Sequence, residues 1–268
     1  MKVGLVLPTF QGEQRQTRKM LHTVLQAWRH QEPPVDEIVV VDDMSEEQYM
    51  NDVRQLARWY KCVYVRLEKD VKKYRLDQCY NLGASILNTD VVIFMGEDWL
   101  PTNTFIRKTV EVHNKWKNVV LVYGMRDLNK AGEEEVKMRI ENISPPLLNH
   151  EWLDRYTVIS AHTPVQCDID NPEVTRGTVG CYSVRSEHFL SHDNQYEGYS
   201  STDADFVDAA VHKGLVPLSV RGVDLVHLVG PKAPGLMDTL WYNSTIIHRK
   251  RTKRGHPPIP DVKNLIPA

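Results

Sequence analysis

Long apolar runs, paired cysteines and an excess of charge of either sign are all missing from this sequence of 268 residues. Without a run of about 18 apolar residues, no segment is expected to span a bilayer. The stretch from Met1 to Pro8 predicts a strand and carries no secretory signal, and the four cysteines form no CxxC pair, so we expect reduced thiols in a cytoplasmic protein. A net charge of −2 provides no general attraction to nucleic acid or membranes.

The first hundred residues instead show a regular alternation of short β-branched runs and helical patterns. Apolar runs at residues 3–7, 37–41, 62–67 and 91–95 predict strands, and apolar spacings of three to four predict helices over 20–28, 50–60 and 76–87. This order indicates an α/β protein with a parallel sheet covered on both faces. Ligands of such sheets bind at the carboxyl ends of the strands, so functional residues are expected just after each strand.

The pattern becomes less regular after residue 100. A polar stretch at 127–154 predicts a loop or lid, and residues 231–268 predict a Pro-rich, basic tail that wraps the domain or is mobile. The remaining predictions are a helix at 102–116, a strand at 119–123, a return of regular structure near 177–184, a helix at 202–213 and strands at 216–220 and 223–228.

Two carboxylates, Asp42 and Asp43, directly follow the second apolar run. At the carboxyl edge of a parallel sheet they can accept hydrogen bonds from a nucleobase N–H or a ribose hydroxyl. The structural alternative is capping, because Asp43 or Ser45 is placed to cap the next helix and Ser45-x-x-Gln48 fits a capping box. One carboxylate can cap while the other binds.

A second acidic pair, Glu97 and Asp98, follows the fourth run. Carboxylate oxygen suits a hard cation that bridges the phosphates of a nucleotide-diphosphate leaving group. Turn formation by these acids is the structural alternative. His227 lies in a later apolar run, where a histidine is commonly a core residue, although imidazole also suits Mn²⁺ beside carboxylates.

Two further acids, Asp203 and Asp205, open a helix after a Gly-containing loop. A carboxylate at this position can take the proton of an acceptor hydroxyl as the hydroxyl attacks a sugar. The helix dipole also favours acids in a first turn, which is the structural alternative.

The order of these motifs resembles that of family-2-like GT-A glycosyltransferases over residues 3–230, together with Leu7-Pro8-Thr9-Phe10, Asn81-x-Gly83 and Leu100-Pro101. The resemblance implies a GT-A domain at 1–230, with a Rossmann-like mixed sheet flanked by helices, and a tail at 231–268. Its nucleotide-binding half reaches to about residue 100 and its acceptor-side half covers 101–230. The implied activity is inverting, metal-dependent transfer of a sugar from a nucleotide-diphosphate donor, with a UDP-sugar expected, to an acceptor hydroxyl.

The resemblance also implies roles for individual residues. Asp203 matches the catalytic base, Asp98 matches the last acid of the DxD motif that holds Mn²⁺ or Mg²⁺, and Glu97 and His227 are the further expected ligands. Gly96 stands where the first acid of that motif is usual, and Tyr80 stands where an arginine often precedes the asparagine. The residues expected around the donor nucleotide are Pro8, Thr9, Asp42, Asp43 and Asn81.

The basic run from His248 to Arg254 lies in the tail. In this family a C-terminal loop can close over the diphosphate, and Arg249 and Arg251 are expected to contact phosphate there. A solvated charge run and contact with nucleic acid are the alternatives. The acceptor is therefore left open among glycan, protein, small molecule and modified DNA base or nucleotide. A catalytically silent module that binds nucleotide or sugar also stays open, because the first motif acid is replaced by Gly96.

Overall fold

The structure is a computed structural model that describes residues 1–12, 18–67, 75–146, 148–175, 180–196, 202–228, 236–258 and 261–268, without the side chains of 236–241. The strands in these ranges are β1 (Val3–Thr9), β2 (Glu37–Asp42), β3 (Val63–Arg66), β4 (Val91–Phe94), β5 (Trp99–Pro101), β6 (Val119–Val122), β7 (Gly124–Leu128), β8 (Thr157–Ile159), β9 (Tyr182–Arg185), β10 (Val216–Leu218) and β11 (Asp224–His227). The helices are α1 (Arg18–Arg29), α2 (Glu47–Trp59), α3 (Leu76–Ile86), α4 (Phe105–Lys115), α5 (Lys130–Glu141), α6 (His150–Tyr156), α7 (Thr202–His212) and α8 (Leu236–Arg254).

A seven-stranded mixed sheet with the order β10-β6-β9-β4-β1-β2-β3 forms the centre of the protein. The strands β4, β1, β2 and β3 are mutually parallel, as the β-branched runs of the first hundred residues predict. The strand β9 runs antiparallel to both of its neighbours, β4 and β6. The parallel part of the sheet therefore places the ends of β1, β2 and β4 at one edge.

Helices cover both faces of this sheet because successive strand residues point to opposite sides. Leu5 and Leu7 belong to an apolar cluster shared with α1, α2 and α4, whereas Val6 belongs to a second cluster shared with α3 and α7. The helix α3 approaches β1 so closely at Gly83 that a methyl group there would collide with the Val6 side chain. Gly83 thus fixes the position of α3 on the sheet.

A second, four-stranded sheet has the order β5-β11-β7-β8. The strand β11 is antiparallel to β5 and parallel to β7. This sheet joins the segment just after β4 to the end of the 223–228 run, and so it connects parts of the chain that are far apart in sequence. The three-residue strand β5 is absent from the sequence prediction.

The prediction of a loop or lid at 127–154 was wrong. The stretch contains the end of β7 and the helices α5 and α6. Each of these helices begins at an asparagine cap: Asn129 accepts a hydrogen bond from Gly132 N and Asn149 accepts one from Trp152 N, both at 2.9 Å. Asparagine is a favoured N-cap residue. The prediction of a loop rested on the polarity of the stretch and did not take these two caps into account.

The predicted tail contains the 19-residue helix α8 and a final segment that returns to the domain. In that segment Ile266 N donates to Asn118 Oδ1 at 2.7 Å, and Lys117 N donates to Ile266 O at 2.7 Å. Within the part of the chain that the structure describes, no helix combines the length and the apolar content that crossing a membrane requires.

Candidate functional site

The ends of β1 and β2 bring most of the predicted nucleotide-binding residues together. Thr9 pairs with Asp42, and Pro8 pairs with Val41, in the parallel register of the two strands. Asp43 N donates to Thr9 O at 2.8 Å, which continues the pairing beyond the end of β2. Thr9 and Asp42 are fully buried. The sequence prediction that these residues share one edge of the sheet is in accord with this arrangement.

Asp42 holds the turn that follows β2. Its carboxylate accepts hydrogen bonds from Ser45 N and from the Tyr64 hydroxyl, both at 2.7 Å. Within this turn, between Asp42 and Ser45, Met44 adopts a left-handed backbone conformation with a φ of 62°, which is uncommon for a residue with a side chain. Burial raises the pKa of Tyr64, and the hydrogen bond to Asp42 raises it further, so the phenol stays a donor.

Asp43 forms a buried ion pair with Arg75. The Arg75 guanidinium donates to Asp43 Oδ1 from Nη2 at 2.8 Å and from Nε at 3.0 Å, and Arg75 N donates to Oδ2 at 2.6 Å. Burial raises the pKa of Asp43, and the contacts with Arg75 act in the opposite direction. This pair anchors the start of α3 to the end of β2.

The predicted capping of α2 by Ser45 or Asp43 was wrong. The cap of this helix is Glu46, and its side chain forms no capping hydrogen bond. Ser45 Oγ instead accepts a hydrogen bond from Gln11 N at 2.9 Å, and thereby links the turn after β2 to the segment after β1. The polar residues of this turn connect loops to one another rather than begin a helix.

A cavity of about 620 Å³ opens beside the same turn. Its volume lies within the range of about 300–1,000 Å³ that is common for ligand sites. Arg66, at the end of β3, closes one side by donating to Ser45 O at 2.8 Å. The lining contains two glutamates, so it suits an uncharged part of a ligand better than phosphate. The residues that line it are Met44, Ser45, Glu46, Glu47, Met50, Arg66 and Leu67.

Glu97 faces the end of β1. Its carboxylate accepts hydrogen bonds from the Thr9 hydroxyl and, at 3.0 Å, from Gln11 Nε2, and its side chain is buried. The structure thus places Glu97 among the residues predicted around the nucleotide. Its predicted role as a metal ligand gains no support from these contacts.

Asp98 and His227 come together through the second sheet. The antiparallel pairing of β5 with β11 sets His227 opposite Trp99, and Leu228 N donates to Asp98 O at 2.7 Å. Asp98 Oδ2 lies 3.5 Å from His227 Nε2, and the imidazole stacks on the Trp99 indole with ring centroids 4.4 Å apart. Burial lowers the pKa of His227, but contacts with Asp98 and the charge of Asp127 outweigh it, so the pKa is raised.

Asp98 and His227 are two side chains at this point that could hold a divalent cation. Within the described ranges, no three histidine, cysteine, aspartate or glutamate side chains gather into a possible metal site, so Glu97, Asp98 and His227 do not form the predicted set of three. One carboxylate and one imidazole are a donor pair that would suit Mn²⁺. A methyl group at Gly96 would lie 2.8 Å from Asp98 Oδ1, so the absent side chain leaves room for the Asp98 carboxylate.

Asp203 lies in the first turn of α7. Burial raises the pKa of its carboxyl group, and hydrogen bonds to the backbone N–H groups of Asp203 and Ala204 oppose this effect. Burial also raises the pKa of Cys181 and of Tyr80, and the charges of Asp98 and Asp203 raise both further. The charges of the two carboxylates therefore act on the pKa values of the same two buried side chains.

Asp205 has a different environment, although it is only two residues away. Its carboxylate accepts a hydrogen bond from Lys250 Nζ at 2.5 Å and lies 3.6 Å from Arg254 Nη1. The structure therefore separates the two acids of this turn: Asp205 belongs to the contact with α8, and Asp203 does not share that ion pair.

Asn81 is hydrogen-bonded to the segment that precedes α7. Its amide donates to His192 O at 2.9 Å and to Asn194 Oδ1 at 3.0 Å, and its Oδ1 accepts from His192 N at 2.7 Å. Tyr80, beside it, is buried against Phe94 with ring centroids 5.1 Å apart. Both residues of this step thus make contacts within the protein, and the role of Asn81 near the donor nucleotide stays a prediction.

The basic run of the predicted tail is partly neutralised. Arg251 Nε donates to Asp208 of α7 at 2.7 Å, so its guanidinium is engaged in an ion pair. Lys250 lies 2.7 Å from Asp193 and 2.5 Å from Asp205. The run is thus solvated in part: Arg249 and Lys253 are exposed, whereas Arg251 is partly exposed and paired with Asp208.

Comparison with known proteins now decides the family. The model of glycosyl transferase family 2 matches residues 5–165, which is more than half of the chain. The chain belongs to glycosyl transferase family 2. A search of curated protein sequences gives no significant match.

Solved structures show the same fold as this family 2 chain. Staphylococcus aureus TarS 1–349 in complex with UDP-GlcNAc is 14% identical, with a TM-score of 0.65 over 98% of this chain and 69% of that one. The mannosyltransferase PcManGT from Pyrobaculum calidifontis, with GDP-Man and Mn²⁺, is 14% identical, with a TM-score of 0.61 over 96% of this chain and 66% of that one. Glucosyl-3-phosphoglycerate synthase from Mycobacterium tuberculosis, with phosphoglyceric acid, is 16% identical, with a TM-score of 0.55 over 97% and 81%.

These similarities confirm the predicted GT-A fold, in which helices flank a central mixed sheet. Against another TarS 1–349 structure and the longer TarS chain, this chain spans 60% and 37% of their lengths. At such low identity the similarity describes the fold, and the roles of single residues rest on the geometry above.

Three residues of this site were missed by the sequence analysis. Arg75 neutralises Asp43, Asp127 raises the pKa of His227, and Lys250 pairs with Asp205. Asp127 lies opposite His227 in the parallel pairing of β7 with β11. Of these three residues, only Asp127 could have been recognised from the sequence, because it follows an apolar run by a few residues. For Arg75 and Lys250 the sequence shows a charge but not its partner.

Proposed function

We propose that this chain transfers a sugar from a nucleotide-diphosphate donor to an acceptor hydroxyl with inversion at the anomeric carbon. The observation that carries the proposal is the meeting of Asp98 and His227, which lie 3.5 Å apart because β5 pairs with β11, and Asp203 in the first turn of α7 supplies a further carboxylate. Membership of family 2 supports the class of reaction. We propose a UDP-sugar as the donor and residues 1–230 as the catalytic domain, with α8 packed onto it.

The nucleotide is proposed to bind at the edge formed by Pro8, Thr9, Asp42 and Asp43, with the cavity beside Met44 open to its uncharged part. Because Arg75 balances the charge of Asp43, the edge repels a diphosphate less than two free carboxylates would. Asp98 and His227 are proposed to hold Mn²⁺ or Mg²⁺. When bound, such a cation neutralises charge that develops on the diphosphate leaving group.

Asp203 is proposed to act as the general base. Burial raises its pKa, so its carboxylate is a stronger base than an exposed aspartate. It takes the proton of the acceptor hydroxyl while the hydroxyl oxygen bonds to the anomeric carbon. The bond from that carbon to the diphosphate oxygen breaks, and the nucleoside diphosphate leaves with the electron pair. A single displacement of this kind inverts the anomeric configuration.

A thermal-shift panel tests the donor site. We expect UDP to raise the melting temperature modestly alone and clearly more with Mn²⁺, and Asp98→Ala to lose the metal-dependent part while keeping its own melting temperature. The panel includes UDP-GlcNAc and GDP-Man, and donor hydrolysis is measured in parallel. The exposed acid Asp168, changed to alanine, is the control.

An equal shift with and without Mn²⁺ would remove the metal from the proposal. Donor binding with neither hydrolysis nor transfer would favour a silent binding module instead. Transfer to modified DNA is not proposed, because Lys250, Arg251 and Arg254 of the basic run are paired with acids of α7.

A further inference from the structure

The C-terminal helix α8 lays its cations against a row of acids. Lys250 lies between Asp193 and Asp205 at 2.7 and 2.5 Å, and Arg251 donates to Asp208 at 2.7 Å. Asp205 and Asp208 belong to α7, whereas Asp193 belongs to the segment before it. The helix α8 is therefore joined by charge to α7 and to the chain that leads into it.

Lys250 is the most enclosed cation of this contact. Its side chain is 13% exposed and that of Asp205 is 11% exposed. The ammonium also lies 4.6 Å from the centroid of the buried Tyr196 ring, on the face of an aromatic side chain. Three charges are thus brought together largely out of water.

Such a group is poor evidence for stability, because desolvation offsets much of the attraction between buried charges. It does restrict geometry, since one ammonium satisfies two carboxylates only when both are correctly placed. The contact is thus better suited to fix the relative positions of α8, α7 and the Asp193 segment.

The Asp193 segment is also held from its other side. His192 N donates to Asn81 Oδ1 at 2.7 Å, and Asn81 donates back to His192 O at 2.9 Å, which ties the segment to α3. The His192 ring lies 2.6 Å from the Tyr182 hydroxyl of β9. Asp193, next to this anchor, is thereby fixed to the main sheet, and through Lys250 the anchor reaches the first turn of α7.

We propose that Lys250 is a positioning residue of the transferase reaction: by joining Asp193 and Asp205 it fixes the first turn of α7, and with it the carboxylate of Asp203. The inference rests on the proposed function, in which Asp203 is the base. Lys250 acts through the helix and touches neither the donor nor the acceptor.

Steady-state kinetics of Lys250→Met test this role. A base displaced by about 1 Å costs on the order of 100-fold in rate, so we expect kcat to fall about 10- to 100-fold while the donor KM changes less than about twofold. Lys250→Arg keeps the charge and should restore much of kcat. Lys253→Ala, which removes an exposed cation from the same helix, should leave kcat and KM unchanged.

The proposal is overturned if Lys250→Met lowers the melting temperature but leaves kcat per folded molecule unchanged. If that variant does not fold, Asp193→Asn decides, because it breaks the same bridge from the other end. A lowered kcat at constant donor KM then supports the role, and an unchanged kcat overturns it. Asp203→Asn separates the two proposals: if it retains turnover, the base assignment fails, and if it loses turnover while Lys250 variants do not, only the positioning role fails.

Discussion

Two pairs of acids, Asp42 with Asp43 and Asp98 with Asp203, differ in what surrounds them. Asp42 and Asp43 are buried and engaged with Ser45, Tyr64 and Arg75 through donors at 2.6 to 3.0 Å. Asp98 and Asp203 have different partners: Asp98 lies 3.5 Å from His227, and the buried Asp203 carboxylate accepts from the N–H groups of its own helix end.

The difference separates two uses of a carboxylate. A carboxylate whose oxygens accept several hydrogen bonds from the protein fixes the backbone around it, because each lost bond leaves a buried group unsatisfied. A carboxylate with looser contacts can bind a cation or take a proton without first breaking the fold. We therefore expect loss of the partners of the first pair to lower stability and changes in the second pair to lower activity.

The largest effect is expected from Asp203→Asn. General-base catalysis is worth about 10²–10⁴-fold, so kcat should fall by at least about two orders of magnitude. Asparagine keeps the shape of the side chain and can still bond to the helix N–H groups, so donor affinity and melting temperature should stay near those of the wild type. Measurable turnover close to that of the wild type would place the base elsewhere.

Arg75→Met tests the first pair from the cation side. Removing one partner of a buried ion pair costs about 3–5 kcal/mol, because Asp43 is then left buried without its counter-charge. Urea unfolding gives the loss directly. Arg18→Met removes the exposed pair with Asp52 and should cost no more than about 1 kcal/mol. Equal costs for the two variants would contradict the distinction between the acid pairs.

Tyr64→Phe should have a smaller effect on stability. It removes one hydrogen bond to the Asp42 carboxylate, worth about 1.5–3 kcal/mol for a charged acceptor, while the bond from Ser45 N remains. UDP affinity, measured by calorimetry, should change little, whereas Asp42→Ala should weaken UDP binding more than it lowers stability. Unchanged UDP affinity in Asp42→Ala would assign this carboxylate to the turn alone.

The smallest expected effect is a shift in pH dependence. Because burial raises the pKa of Asp203, the base is protonated at a higher pH than an exposed aspartate, and kcat/KM should decline as pH falls through that raised value. Above it, the carboxylate is ionised and kcat/KM is constant with respect to this group. A profile that stays flat down to pH about 4 would show an ordinary aspartate and weaken the assignment.

The sequence predicted the parallel half of the fold well because its signals are local. Each β-branched run in the first hundred residues became a strand with nearly the predicted bounds, and the acids after these runs lie at the strand ends. The roles given to them, and the division at residue 230, stay predictions. The helices α5 and α6 and the neutralised basic run were missed, because polar stretches reveal neither their caps nor their ion partners.

By itself, the sequence determined which residues are buried in strands and which acids follow them, since side-chain alternation and apolar runs act over a few residues. Only the tertiary structure decided which of these acids meet. The pairing of β5 with β11 brings His227 to Asp98, and the packing of α8 on α7 assigns Asp205 to Lys250 while Asp203 stays outside that ion pair. Such partners depend on strand register and helix packing between distant parts of the chain, which no local pattern specifies.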